Sequence, residues 1–495
     1  MFVDMNRNGM WHFRETRPRR GVTSVCSGGN ARERLVACGS LAWLLFAVVP
    51  AALAAPPELP DKPSAQDEVL ALLAEEKPYT VVAPDLFAQL GWELPDGGET
   101  AKALADEAPG GAMDPHRLEA IPPGTSGYRA TWHEVRFEVY GVDWDITGLR
   151  LLPDDPIPGL PGIVIVNGGA ANWYEFFFDP LNRPGLGQYL AQKVPVLLVS
   201  IPGNYRPGGW SQEDFGERIP AYVLDRDISP EEAAIRNAAF TFRVVTDGIA
   251  ALVRSVMDEP YVIVGHSTGG EVQFILKDSP LGPAMRGWSL GWGTGGPAGM
   301  QAMRAFRGAR TADDYQHVAR LRARTPDQYA RGYLGPLNPF WDPGKSRLEM
   351  AEEWIAAVQH RRPQFKQPLQ DIEHNSAVNL RTTIESQIRE TLAGNSLGID
   401  ADEVCRDLFT TMRSPLSGYR KMIWTTASLD SGHWNPDPAN ARELRVANEF
   451  RAANPGIPVR VLLFDVPMTH YGHIEKPREL AGGLLAALRW LSQPE

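Results

Sequence analysis

Residues 261–276 read Tyr261-Val262-Ile263-Val264-Gly265-His266-Ser267-Thr268-Gly269-Gly270-Glu271-Val272-Gln273-Phe274-Ile275-Leu276. A short apolar run leads into a glycine-flanked serine, and a segment of helical character follows. This spacing predicts a strand, a sharp turn and a helix, with Ser267 lifted out of the sheet at the turn. Glycines belong beside such a serine because larger side chains would clash there. The following helix points its positive end at the site and so favours developing negative charge. The pattern G-x-S-x-G is weak evidence by itself in a chain with 47 glycines. Gly287-Trp288-Ser289-Leu290-Gly291 matches it as well. There the serine lies inside a strand-like run, and a glycine-rich stretch follows instead of a helix. Context selects Ser267, and Ser289 reads as structural.

Working outward, continuous apolar runs recur at Ile163 to Val166, Val194 to Ile201, Trp288 to Trp292, Lys421 to Thr425 and Val459 to Val466. Strands covered on both faces have this composition. A strict alternation from Glu134 to Tyr140 predicts a half-exposed strand, with Asp143 to Leu152 as its hairpin partner and Gly141 near the turn. Ser229-Pro230-Glu231-Glu232 is a capping box with proline at the first helical position. The stripe Ile235, Ala238, Phe242, Val245, Ile249, Leu252 and Val256 then predicts one long helix packed on the sheet. A final helix is expected from about Pro477 to Leu491. Strand–helix–strand alternation implies an α/β fold with a mostly parallel sheet flanked by helices. Residues 298–418 carry helical character and few strand signals, and read as a large helical cap insertion. Residues 55–128 are rich in Pro, Gly, Ala and acids, with a short helical stretch near Asp67 to Glu76. They read as an N-terminal extension without identifiable chemistry. The core is then 129–297 with 419–495.

A serine hydroxyl is a poor nucleophile at its own pKa and needs a base, which needs an orienting acid. Downstream, Thr469-His470-Tyr471-Gly472-His473-Ile474-Glu475-Lys476-Pro477 lies between the last strand and the last helix. With the elbow at Ser267, this resembles the α/β-hydrolase superfamily, in which the order is serine, acid, histidine. Many members read G-H-x-x-H-x-E-x-P there, the first histidine being catalytic. The resemblance covers 134–297 and 419–495. It implies that His470 is the general base, with Thr469 in place of the usual glycine and His473 as the rival. It implies Asp430 as the acid, following the strand that begins at Lys421, with Asp437 and Asp465 as rivals. It also implies an oxyanion hole from the backbone N–H of Thr268 and of Gly169 or Ala170. The latter pair sits in Asn167-Gly168-Gly169-Ala170, directly after a strand, with Asn167 where a histidine is familiar. Ile201 to Gly209 follows another strand end and is either pocket lining or a turn.

The bulk properties narrow the class. The formal net charge is −11. The first 54 residues hold seven Arg against three acids, which leaves about −15 on the remainder. An acidic body repels phosphate backbones, so nucleic acid is not an expected partner. Two of the three cysteines, Cys26 and Cys38, fall in the N-terminal stretch, and Cys405 alone makes no internal disulfide. Arg32 and Arg34 precede the apolar run 35–54, which closes on Ala52-Leu53-Ala54. That pattern reads as a signal peptide over residues 1–54, and so as export to the periplasm or the extracellular space. Length alone also permits a membrane anchor, but Gly39, Ser40, Pro50 and the cleavage pattern favour removal, leaving no stable anchor.

The resemblance thus implies a serine hydrolase acting on a small-molecule or polymeric carboxylic ester through an acyl-enzyme, with no cofactor and no metal. An amidase or peptidase with the same triad is the alternative, and a non-catalytic binding protein on the same fold is another. The stretch Gly291 to Gly296 matches a dinucleotide fingerprint, but no second strand ends at Asp313 or Asp314 as that site requires. In the cap, Tyr333, Phe340, Trp341 and Trp354 suit either an apolar pocket for a bulky ester or a core.

Overall fold

The computed structural model describes residues 2–5, 11–14, 63–77, 79–91, 97–106, 116–166, 173–178, 183–200, 230–266, 269, 272, 287–290, 384–413, 420–427, 448, 451–452, 455–465 and 472–494. The chain divides into residues 1–61 and 62–495. The described part of the first unit is an antiparallel pair, β1 (Phe2–Met5) and β2 (Trp11–Arg14). The apolar run 35–54 lies outside the described residues. No helix among the described residues is long and apolar enough to cross a membrane.

In the second unit the apolar runs form one sheet. Its strands are β3 (Thr80–Val82), β4 (Tyr128–Val139), β5 (Val142–Pro153), β6 (Gly162–Val166), β7 (Val196–Val199), β8 (Tyr261–His266), β9 (Gly287–Leu290), β10 (Met422–Ala427) and β11 (Val459–Phe464). Their order across the sheet is β3-β11-β10-β9-β8-β6-β7-β5-β4. The pairs β4–β5 and β5–β7 are antiparallel, and the other pairs are parallel. The hairpin turn is Tyr140-Gly141, with φ of 58° and 68°. Two left-handed residues give the turn the twist of its flanking strands. Tyr140 tolerates that strain because its hydroxyl lies 3.0 Å from Thr241 Oγ1 and Arg243 packs over its ring.

Period-2 alternation divides the central strands between two cores. Val164, Val166, Leu197, Val199 and Ile263 face one layer of helices. Ile163, Ile165, Val196, Leu198, Val262 and Val264 face the other. All are buried, which is why the sequence shows runs rather than alternation there. The first layer includes the helix Phe242–Val256, and the second includes Leu186–Ala191 and Pro477–Ser492.

The single helix expected from Ser229 to Val256 is two, Pro230–Ala239 and Phe242–Val256. Thr241 is extended at the break, where its hydroxyl meets Tyr140. Phe240 turns inward against Trp144, with ring centroids 5.9 Å apart. The stripe ran through the break because Ile235, Val245, Ile249 and Leu252 all enter the same core.

Of the expected cap, residues 298–383 and 414–418 lie outside the described residues. The rest holds the helices Ile384–Leu392 and Ala401–Arg413. Ile388, Leu392, Ile399, Val404 and Cys405 join the first core. Arg243 ties this segment down. It contacts Asp407, reaches Glu403 at 3.3 Å and holds Asp247 at 3.4 Å. Burial nevertheless pushes the Asp247 carboxyl above the usual range, against the pull of Arg243.

Of the expected N-terminal extension, residues 62–128 belong to this unit. Ser64 caps the helix Ala65–Ala74 with a reciprocal Asp67 box, and β3 adds a parallel strand at the edge of β11.

Candidate active site

The parallel strands β6, β8, β9, β10 and β11 end at one edge of the sheet, where ligands bind in open α/β sheets. Each sequence candidate follows one of these ends. Gly169 and Ala170 follow β6, Ser267 and Thr268 follow β8, Asp430 follows β10 and His470 follows β11. All six candidates lie outside the described residues, as do the acid rival Asp437, residues 201–209 and the fingerprint match 291–296, whereas the other acid rival, Asp465, is exposed directly after β11 with its N–H donating to the Val82 carbonyl at 3.0 Å. Their flanks are described, and these supply the geometry.

Strand β8 runs through Gly265 to His266, and Gly269 and Val272 beyond it are helical and buried. Ser267 thus lies in sequence between the end of a strand and residues that are helical. Ser289, the decoy, lies within β9, whose backbone pairs with β8 at Gly265 and with β10 at Trp424. Its backbone is therefore part of the ladder of a central strand.

The short helix Trp173–Phe177, next in the chain after residues 167–172, is anchored from several sides. Its Phe177 carbonyl accepts from Gln188 Nε2 at 2.7 Å and from Gly185 N–H at 2.8 Å. Tyr128 in turn donates its hydroxyl to Gln188 Oε1 at 2.9 Å. Complete burial raises the Tyr128 pKa far above its ordinary value, which keeps that donor in place. Trp173 packs edge-on against Trp132, with centroids 5.7 Å apart.

The segment after β11 returns to β8. His473, on the short helix Gly472–Glu475, places its ring centroid 4.4 Å from that of His266. It also stacks on Phe176 at 4.4 Å with the planes only 14° apart. His473 has no accessible surface and His266 has 2 %. A general base must reach substrate, so full burial counts against His473 in that role. His266 and Phe176 are the contributors that the sequence reading missed. His266 was in view as the variable residue of G-x-S-x-G. Phe176 carried no signal beyond its place after the glycine loop.

The strand order, with β7 outside β6 and β8 beside it, and the helices packed on both faces of the mostly parallel sheet define an α/β-hydrolase-fold protein. No protein-family model matches the chain, and no curated protein matches it. Solved structures similar to it include a proline iminopeptidase from Mycobacterium smegmatis at 13% identity, covering 73% of this chain and 99% of that one with a TM-score of 0.35. The epoxide hydrolase CorEH is 14% identical, covering 72% and 98% at 0.34. The serine hydrolase CCSP0084 of Cycloclasticus is 14% identical, covering 73% and 98% at 0.33. The activity each is named for belongs to that protein.

Proposed function

We propose that the chain is an exported serine hydrolase that cleaves carboxylic esters through an acyl-enzyme. Ser267 Oγ attacks the ester carbonyl while His470 takes its proton. The backbone N–H of Thr268 and that of Gly169 or Ala170 receive the negative charge that develops on the carbonyl oxygen. His470 then gives the proton to the departing alcohol, and Asp430 holds the imidazolium. Water, activated by the same histidine, releases the acid and restores the serine. No step calls for a cofactor.

The observation that carries this reading is the contact between His266 and His473. His266 is the residue before Ser267, and His473 is three residues after His470. Their rings touch although β8 and β11 are separated in the sheet by β9 and β10.

A fluorophosphonate probe tests the reading. The probe phosphonylates an activated serine, with fluoride as the leaving group. Peptide mapping is expected to find one adduct, on Ser267, in a protein that hydrolyses p-nitrophenyl esters. An adduct on Ser289, or none in a folded protein, would overturn the assignment. Turnover of amide but not ester substrates, with the adduct on Ser267, would replace the ester by an amide.

Export has its own measurement. N-terminal sequencing of protein recovered outside the cytoplasm is expected to begin at Ala55. Protein retaining residues 35–54 and pelleting with membranes would replace the signal peptide by an anchor.

A further inference from the structure

Three aromatic rings meet behind the catalytic edge, and each comes from a different segment. Phe176 stands on the helix Trp173–Phe177, His266 ends β8, and His473 sits on the short helix after β11. Phe176 and His473 are stacked at 4.4 Å. His266 meets both edge-on, 5.6 Å from Phe176 with planes at 72° and 4.4 Å from His473 with planes at 65°. Edge-to-face and stacked contacts at these separations are attractive and directional. All three rings are buried, so none of these contacts is diluted by solvent.

We propose that Phe176, His266 and His473 form a ring clasp that holds the nucleophile, its base and the oxyanion loop at working distance, with His473 as a positioning residue. The inference rests on Ser267 and His470 being the catalytic pair. Three strand spacings separate β8 from β11, roughly 14 Å. His473 nonetheless lies on His266, eight residues beyond Asp465 in the chain. Backbone hydrogen bonds of the sheet do not specify that approach, because it occurs beyond the last ladder pair, Ala427 with Phe464. The ring contact is a side-chain link that joins the two segments there. His266 is one residue from Ser267, His473 three from His470 and Phe176 six from Ala170. A shift in the clasp is therefore passed along short stretches of chain to the nucleophile, its base and the oxyanion segment. Misplacement of reacting groups by about 1 Å costs on the order of 100-fold in rate.

A flat ring of suitable size is what position 473 requires, and this separates positioning from proton transfer. His473→Ala is expected to lower kcat for p-nitrophenyl ester hydrolysis by roughly 30- to 100-fold per competent site, with KM within about threefold of the parent. Competent sites are counted by the endpoint of fluorophosphonate labelling, so a smaller folded fraction does not pass for a slower enzyme. His473→Phe is expected to restore kcat to within about threefold, because it keeps the stack on Phe176. Phe176→Leu removes the stack from the other side at similar volume. It is expected to lower kcat by about 10-fold at unchanged KM, and it serves if His473→Ala fails to fold.

Parental kcat per labelled site in His473→Ala, or in Phe176→Leu if that is the variant that folds, overturns the clasp. Equal losses in folded His473→Ala and His473→Phe also overturn it, since the imidazole nitrogens and not the ring would then matter. Ser267→Ala runs alongside. If that variant keeps its activity, the catalytic assignment fails on its own account, whatever the clasp variants do.

Discussion

Replacement of Ser267 by alanine is expected to lower kcat for p-nitrophenyl esters by about five to six powers of ten, while KM changes little. The size follows from the role. The hydroxyl forms the covalent bond of the acyl-enzyme, so its loss removes the pathway rather than a contact along it. What remains is binding and the backbone donors, which in such sites still give about 1,000- to 10,000-fold over water. Initial rates at saturating ester, with the parent and variant at equal folded concentration, give the ratio. Ser289→Ala is the control, since Ser289 lies within β9, and its rate is expected within about threefold of the parent. Retention of a tenth or more of the parental kcat in Ser267→Ala would remove the serine from the chemistry.

Gly482→Ala is expected to destabilise the protein by about 3 kcal/mol. Gly482 lies in the helix Pro477–Ser492, where alanine is ordinarily the better residue by about 1 kcal/mol. Propensity alone therefore predicts the opposite sign. Packing decides, because a Cβ at 482 would lie 2.7 Å from Leu90 Cβ and 2.8 Å from the Leu90 carbonyl carbon. Leu90 has little room to withdraw. Its N–H donates to Phe87 O at 3.1 Å, and Phe87 packs edge-on against Phe464 of β11 with centroids 4.8 Å apart. The helix must lift from the sheet or the Leu90 turn must unpack. A fall of at least about 5 °C in the thermal midpoint is expected. Gly456→Ala, whose added methyl meets nothing within 4 Å, is expected to leave the midpoint within about 1 °C. An unshifted midpoint for Gly482→Ala would mean that this helix and Leu90 do not approach as described.

Both expectations depend on how far the sequence can be read. Buried parallel strands announce themselves, so β6, β8, β10 and β11 were legible to within two residues. The turn at Gly141 was legible because few residues adopt positive φ. β3 was not, since Thr80 to Val82 is too short to show a period and its partner lies some 380 residues away. The helix break at Thr241 was hidden because both helices feed one core, and hydrophobic spacing records the destination of a side chain rather than the continuity of the backbone.

The site follows the same division. The serine elbow is local and carries its own context. The ring cluster is not local: Phe176, His266 and His473 lie about 90 and 200 residues apart, and no spacing rule connects them. The burial of His473, which weighs between two histidines three residues apart, likewise exists only in three dimensions.

The pairing of β3 with β11 also fixes an order of events. Residues 80–82 are made early, and their seat at 462–464 is made almost last. Asp67 likewise meets Arg489 at 2.9 Å, and the Leu73 carbonyl accepts from Arg460 Nε at 2.9 Å. Through most of synthesis the first helix and strand of this unit have nothing to dock on. Contacts closed over so long a loop form slowly. The first helix and edge strand of this unit are therefore the last pieces to dock, after the sheet they complete has its final strand.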